Sequence, residues 1–351
     1  MKPRRIGVGL LKLTIAATAI AWVARGVAFD DVARIWSGAD HSLLLGAVAV
    51  FLITPLLQAV RLRRLLRSQN IPTPIGESIR LAFAGNFMNF AAPIGSTSGD
   101  VYKAVYLSRR TRHGWEAAAI TLIDRAIGLG TLLLSVTLIA QFSDPSGPLG
   151  RLRTYTAMLS IGLLGGILLV IRAPQLGGRW TESLLRRLPR RDVVLRVVRV
   201  TRSLLLSPRT VLAATMDTLG IQIAAAASFL CVALALGFRI GPADWTALYA
   251  YFSAGEIVKA LPGPPQGLGT MEVSYGFFFA SWAGASQILS AALAIRTVNL
   301  ICALPGAALL SMRREPEQVS EPARVPGSGP VRQSRPLAAT VVPSEVASSA
   351  A

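Results

Sequence analysis

The chain has 351 residues, of which 52% are hydrophobic and 15% are charged. This composition excludes an ordinary soluble enzyme and indicates an integral membrane protein. The formal net charge is +18, but the arginines flank apolar runs and lack the interleaved aromatic residues of a nucleic-acid-binding module. We therefore attribute the charge to membrane topology and expect no nucleic acid partner.

Six apolar stretches are long enough to cross a bilayer, whose hydrocarbon core of about 30 Å needs roughly 20 residues of helix. The first stretch, residues 6–24, follows three cationic residues. We interpret it as an uncleaved anchor rather than a signal peptide, because it is long for a signal sequence and further spans follow it. The other five stretches cover residues 43–60, 117–142, 155–171, 211–236 and 288–312.

Two further apolar segments are interrupted by proline and glycine. Cations lie on both sides of the first interrupted segment, so we expect it to enter from the cytoplasm and return there. The second has few cations at either end and fits a hairpin that opens to the outside. The breaking residues are Pro93 and Gly95 in the first segment and Pro262, Pro264, Gly267 and Gly269 in the second.

The distribution of cations predicts the orientation of the chain. By the positive-inside rule both termini are cytoplasmic, in a multi-pass protein of the cell inner (plasma) membrane. The long basic stretch from Arg172 to Arg209 has interleaved apolar residues, which favours amphipathic helices on the anionic lipids of the inner leaflet. A solvated basic loop is the alternative. The composition of residues 315–351 predicts a disordered cytoplasmic tail.

These patterns together predict an all-α fold over residues 1–314. We expect a polytopic membrane helix bundle with about six full spans and two re-entrant helical hairpins. Because lipid cannot satisfy non-helical backbone, the two breaks have to border a shared cavity. Interruptions entered from opposite faces are typical of transporters with inverted repeats and a site at the membrane midplane. No repeat is visible residue by residue, so the inverted repeat is a hypothesis.

Several charged residues fall within the predicted spans, where each needs a partner. Asp124 and Arg125 are neighbours, but they point about 100° apart on a helix and cannot simply neutralise each other. Arg296 has no partner nearby in sequence, so we expect it to pair with Glu272 or with Asp124. Lys259 stands three positions after Glu256 and can share a helical face with it, so these two side chains either form a structural pair or belong to the site.

The first break is also rich in small polar residues, among them Asn89, Gly99 and Asp100. Free backbone amides there would form a nest for an anion such as a lipid phosphate; turn and cap residues of a hairpin are the equal alternative. No nucleotide-binding loop, metalloprotease motif or serine elbow is present, and the spacing of cysteine and histidine fits no metal site. We expect no cofactor and no metal.

Three sequence blocks are together typical of one family. They are Asn89-x-x-x-Pro93-x-Gly95-x-x-x-Gly99-Asp100-x-x-Lys103, Asp124-Arg125-x-x-Gly128 and Pro262-x-Pro264-Pro265-x-Gly267-x-Gly269-x-x-Glu272. On these blocks the chain resembles the flippase-like membrane domain of lysylphosphatidylglycerol synthases, in particular its stand-alone relatives. The resemblance implies a helix bundle that moves an amphiphilic lipid between leaflets. The sequence contains no soluble aminoacyl-transferase domain, so we expect no lysyl-lipid synthesis.

The leading hypothesis is therefore a lipid flippase that is not an enzyme and handles a phospholipid, an aminoacyl-lipid or an isoprenoid-linked lipid. One alternative is an intramembrane enzyme that modifies a lipid with Asp124 or Glu272 as acid or base. Another is a scaffold that docks a cytoplasmic lipid-synthesis enzyme on the basic stretch. In the leading hypothesis Lys103, Arg125 and Arg296 contact a phosphate, Asp100, Asp124 and Glu272 hold those cations or a basic head group, and Asn89 and Gly99 complete the site.

Overall fold

The computed structural model describes residues 29–92, 97–111, 114–172, 191–260 and 267–311. The predicted first span, the tail and four of the six breaking residues, namely Pro93, Gly95, Pro262 and Pro264, lie outside the described residues. Within the described ranges all regular structure is helical, which confirms the predicted all-α class.

The described residues form twelve α-helices, and a 3-10 turn at Pro242–Asp244 precedes α10. They are α1 (Phe29–Ser37), α2 (His41–Phe51), α3 (Ile53–Ser68), α4 (Ile75–Ala91), α5 (Ser98–Arg110), α6 (Gly114–Gln141), α7 (Pro148–Arg172), α8 (Arg191–Leu205), α9 (Pro208–Ala235), α10 (Trp245–Ala260), α11 (Thr270–Phe279) and α12 (Ala285–Ser311).

Five helical segments in the described part of the chain are long and apolar enough to cross a membrane. They correspond to five of the six predicted spans and confirm a multi-pass membrane protein. The first is the continuous rod formed by α2 and α3, His41–Ser68, and the others are α6, α7, α9 and most of α12. The rod runs eight residues beyond the predicted end of the span at residue 60, and this extension bears on the site described below.

The rod begins at a capped end. The carboxylate of Asp40 accepts hydrogen bonds from the amides of Ser42 and Leu43 at 2.8 and 3.3 Å. The Ser42 hydroxyl also donates to it, and these hydrogen bonds lower the pKa of Asp40. A cap of this kind satisfies amides that have no partner within the helix, so the aspartate defines where the helix starts.

Helix α9 is central to the bundle, since it packs against α2, α3, α6, α10 and α12. Around it the aromatic rings of Phe229, Tyr275 and Phe279 form the middle of one apolar core. A second apolar core joins Leu62 of α3 to Ile120 of α6. Helix α7, in contrast, buries only 6% of its apolar window and lies at the periphery.

The two interrupted segments consist of shorter helices. Helices α4 and α5 have 17 and 13 residues, and α10 and α11 have 16 and 10. At 1.5 Å per residue these helices measure about 26, 20, 24 and 15 Å, which is short of the roughly 30 Å hydrocarbon core. None of the four is among the candidate spans of the described residues.

Glycine allows the neighbouring helices to approach closely. A methyl group added at Gly99 would lie 2.2 Å from the backbone oxygen of Gly85, so α4 and α5 touch backbone to backbone. The amide of Gly99 donates to the side-chain oxygen of Asn89 at 2.8 Å. Gly306 of α12 meets the backbone of Phe83 in α4 equally closely, at 2.2 Å. These contacts leave no room for a side chain.

Replacing Gly306 by alanine should destabilise the protein, because the new methyl group collides with backbone that cannot rotate away. Overpacking of this kind typically costs about 1–3 kcal/mol. We expect the melting temperature in detergent, followed by intrinsic fluorescence, to fall by several degrees. The matched control is Gly166→Ala in α7, where no atom lies within 4 Å of the added methyl group; an equal fall in both variants would contradict this packing.

Candidate functional site

A cavity of about 280 Å³ lies among the long helices. Its lining residues come from the middle of the α2–α3 rod, α6, α9 and α12, together with the parts of α4, α5 and α10 that lie next to the interrupted connections. The cavity therefore sits at mid-depth of the helices that are long enough to span the membrane. Its polar lining residues are Thr54, Gln58, Arg61, Asn86, Asn89, Asp100, Lys103, Asp124, Arg125, Thr218, Gln222, Glu256, Lys259 and Asn299.

A buried ion pair between α3 and α6 forms one wall. The Nε and Nη2 atoms of Arg61 donate to the two carboxylate oxygens of Asp124 at 2.7 and 3.1 Å. The Nη1 atom of Arg61 donates to the hydroxyl of Thr218 on α9 at 2.9 Å. Both charged side chains are at least nine-tenths buried. One arginine thus connects three helices, and its fork matches the carboxylate in the bidentate geometry that makes such pairs strong.

Sequence reasoning missed Arg61 because it stands next to other arginines and just beyond the apolar run. The available signal was the spacing of polar residues on α3. Thr54, Gln58 and Arg61 follow one another at intervals of four and three residues, which places them on one helical face. All three line the cavity. The expected alternative pairing of Arg296 with Asp124 is therefore not formed.

The residues that follow the first break form a second ionic group. Asp100 accepts a hydrogen bond from Arg125 at 2.6 Å and lies 3.5 Å from the ammonium group of Lys103. Arg125 also donates to the backbone oxygen of Ala260 at 2.9 Å. Since Ala260 directly precedes the second break, Arg125 connects the two interrupted segments. The expectation that the two breaks border one cavity is supported by this contact.

The Glu256 and Lys259 side chains of α10 form an ion pair of 2.5 Å, which is the structural pairing that their spacing allowed. Both also line the cavity, so they are a structural pair that contributes to its wall. Lys259 also packs against Gly267 in the second break. A methyl group added at Gly267 would lie 2.7 Å from the Cγ atom of Lys259. Gly267 has a φ of +64°, a conformation that favours glycine.

The predicted pairing of Arg296 with Glu272 is confirmed at 2.7 Å. The second carboxylate oxygen of Glu272 accepts a hydrogen bond from the amide of Gly269 at 2.7 Å, which caps α11. Gly269 has a φ of +84° and serves as the helix cap. Neither member of this pair lines the cavity. The assignment of Glu272 and Arg296 to substrate contact stays a prediction.

Three polar atoms at the cavity are buried without a hydrogen-bond partner among the described residues. They are the hydroxyl of Thr54 and the side-chain amide oxygens of Gln58 and Asn299. A buried polar group with no partner costs about 1–3 kcal/mol. These three groups are therefore available to bind a ligand or water. In the described part of the chain no cluster of His, Cys, Asp and Glu fits a metal ion.

The family model described as the lysylphosphatidylglycerol synthase TM region matches residues 9–306. No curated protein matches the chain. The family match covers the whole described helix bundle up to α12 and includes every polar residue of the cavity.

Removing the carboxylate of Asp124 should strongly destabilise the protein, because Arg61 would remain as a buried charge without compensation. Breaking a buried pair in this way typically costs about 3–5 kcal/mol. We expect Asp124→Ala to lower the melting temperature in detergent markedly. The double variant Arg61→Met, Asp124→Leu should recover most of that loss.

The matched control for Asp124 is Asp217 of α9, which pairs at 3.0 Å with Arg64, an arginine of the same helix as Arg61. The Arg64 side chain is 41% exposed, so Asp217→Ala should cost about 1 kcal/mol or less. Equal losses for the two alanine variants would contradict the structural importance of the Arg61–Asp124 pair.

Proposed function

The chain belongs to the family of the lysylphosphatidylglycerol synthase TM region, and from this premise we propose that it moves a lipid between leaflets by way of the cavity. The observation that carries the proposal is a polar, ion-paired cavity at mid-depth of spanning helices. Such a cavity shelters a polar head group from the hydrocarbon core, where a charge costs several kcal/mol. The acyl chains would remain in the surrounding lipid.

The size of the cavity supports a head group rather than a whole lipid. Its volume of about 280 Å³ is near the lower end of typical small-molecule sites, which begin at about 300 Å³. The polar walls come from the centres of the helices, whereas many apolar side chains on their outer faces are exposed and suit contact with acyl chains. The division between a polar interior and an apolar exterior matches the two parts of an amphiphilic molecule.

We further propose that the two interrupted segments are re-entrant hairpins that enter from opposite faces as an inverted repeat. Their helices are shorter than the hydrocarbon core, and Arg125 connects the residues beside the two breaks. In transporters, interrupted helices of this kind form the substrate site at the midplane. We propose cytoplasmic termini for the same reason as above, namely the positions of the cations.

The proposed partner of the basic stretch from Arg172 to Arg209 is the anionic lipid of the inner leaflet. The amphipathic character of α8 supports it: Val200 and Leu204 are buried in the bundle, whereas Arg199 is exposed. An exposed cation such as Arg199 gains about 1 kcal/mol when it lies beside an anionic bilayer surface. The same surface would also suit a cytoplasmic lipid-synthesis enzyme.

Proteoliposomes that contain a trace of fluorescent phospholipid test the proposed transport. Dithionite added outside rapidly quenches the labelled lipid of the outer leaflet. The slower loss of fluorescence that follows reports the movement of labelled lipid from the inner to the outer leaflet. We expect Lys103→Gln to slow this phase by about tenfold, which corresponds to about 1.4 kcal/mol, because the variant removes a buried cation from the cavity wall. Lys103→Arg is the matched control and should retain most of the rate.

Two outcomes would contradict the proposal. One is translocation by the wild-type protein no faster than in protein-free vesicles. The other is a chemically altered lipid after incubation with purified protein, which would favour the intramembrane enzyme instead.

Cysteine labelling tests the opposed hairpins. With Cys231 and Cys302 replaced by alanine, a membrane-impermeant maleimide in intact cells should label Leu268→Cys from outside, but Thr97→Cys only after lysis. These positions avoid the strained backbone of Gly267. Ser146→Cys, in the loop between α6 and α7, is the control for outward access. Labelling of Thr97→Cys and Leu268→Cys from one side would contradict the opposed arrangement.

A further inference from the structure

The cavity carries more positive than negative charge. Its described lining includes four cationic side chains, those of Arg61, Lys103, Arg125 and Lys259, and three anionic ones, those of Asp100, Asp124 and Glu256. At mid-depth of the bilayer an excess charge is costly unless a ligand compensates it, since the surroundings have a low dielectric constant. The imbalance therefore favours an anion as the ligand.

Each of the three carboxylates already has a cation at short range. Asp124 is held by Arg61 at 2.7 Å, and Asp100 by Arg125 at 2.6 Å. Glu256 is held by Lys259 at 2.5 Å. A cationic head group would have to displace one of these partners and leave it buried without compensation, which is strongly unfavourable. The described wall thus offers little to a positively charged ligand.

Lys103 is the cation with the weakest compensation. Its ammonium group is 3.5 Å from the carboxylate of Asp100. This distance is longer than the roughly 2.7–2.9 Å of a strong charged hydrogen bond. The same carboxylate accepts the shorter bond from Arg125. The Lys103 side chain is nevertheless only 9% exposed. A phosphate beside Lys103 would provide the close partner that Asp100 does not.

The unpartnered polar atoms add a second requirement. The unpartnered amide oxygens of Gln58 and Asn299 need a hydrogen-bond donor, whereas the unpartnered Thr54 hydroxyl can donate or accept. Phosphate oxygens are acceptors too and cannot satisfy the two amide oxygens. Hydroxyl groups on the ligand can donate to them. The amide oxygens therefore favour a head group with hydroxyls in addition to the phosphate.

We infer that the head group is an anionic phosphate ester that carries free hydroxyl groups, an inference that rests on the proposed function. The site discriminates against cationic and zwitterionic head groups. Lys103 binds the phosphate, and Gln58 and Asn299 accept hydrogen bonds from the hydroxyls. The inference concerns the head group and leaves the hydrophobic tail open.

Binding to the purified full chain in detergent tests the inference without requiring transport. The probes are short-chain phosphatidylglycerol, phosphatidic acid, phosphatidylcholine and lysylphosphatidylglycerol, with glycerol 3-phosphate as the soluble source of the same chemistry. We expect phosphatidylglycerol to bind at least about tenfold more tightly than phosphatidylcholine and lysylphosphatidylglycerol. Equal affinity for the anionic and cationic lipids would overturn the inference. Tight binding of glycerol 3-phosphate would assign the site to a soluble phosphate ester instead.

Variants separate the two recognition elements. Lys103→Gln should abolish the preference for phosphatidylglycerol over phosphatidylcholine. Gln58→Met should weaken phosphatidylglycerol about threefold to tenfold, as expected for one hydrogen bond, and leave phosphatidic acid unchanged because that lipid has no hydroxyl-bearing alcohol. The control is Gln287→Met, a glutamine outside the cavity that donates to backbone oxygens near the end of α9. An unchanged affinity in Gln58→Met would overturn the hydroxyl requirement.

The same lipids in the fluorescence assay distinguish the inference from the proposed function. Selective binding without any translocation would refute the proposed function and leave the inference intact. Translocation of all head groups at one rate, together with unselective binding, would refute the inference and leave the proposed function intact.

Discussion

Charges that the helices bury at membrane depth require partners on other helices, and this requirement determines how the bundle is assembled. Arg61 joins α3 to α6 and α9, and Arg296 joins α12 to α11. Arg125 joins α6 to the residues beside both breaks. Apolar packing alone discriminates poorly between helix arrangements in lipid, because the lipid tails are as apolar as the side chains. The ion pairs therefore supply much of the specificity.

Glycines let the helices pack closely enough for these ion pairs to form. The backbones of α4 and α5 meet at Gly85 and Gly99, and α12 reaches α4 at Gly306. Such close approach brings Lys103 and Asp100 to the cavity wall without a long side chain in between. It also lets van der Waals contacts and interhelical hydrogen bonds form at short range, which is the principal source of stability between membrane helices.

The sequence predicted the features that depend on composition and on local spacing. It identified five spans and the family, and it allowed the Glu256–Lys259 pair. It also limited the partner of Arg296 to Glu272 or Asp124, because no neighbour in sequence neutralises Arg296. Arg61 was missed because hydropathy ends a span where arginine begins, although the helix continues. The contact between Arg125 and the backbone oxygen of Ala260 was out of reach, since a backbone acceptor leaves no trace in residue identity.

The position of Asp100 links ligand binding to the arrangement of the hairpins. This carboxylate binds Arg125 at 2.6 Å and lies 3.5 Å from Lys103. Asp100 therefore contacts both Arg125, which connects the two segments, and Lys103, the cation with the weakest compensation. An anion beside Lys103 would repel Asp100 and compete with it for Arg125. A ligand shifts a conformational equilibrium only through different interaction energies with the two states. A bound phosphate would interact with Asp100 differently when the Asp100–Arg125 bond is formed and when it is broken. This bond connects the two segments, so the phosphate would affect how they are arranged.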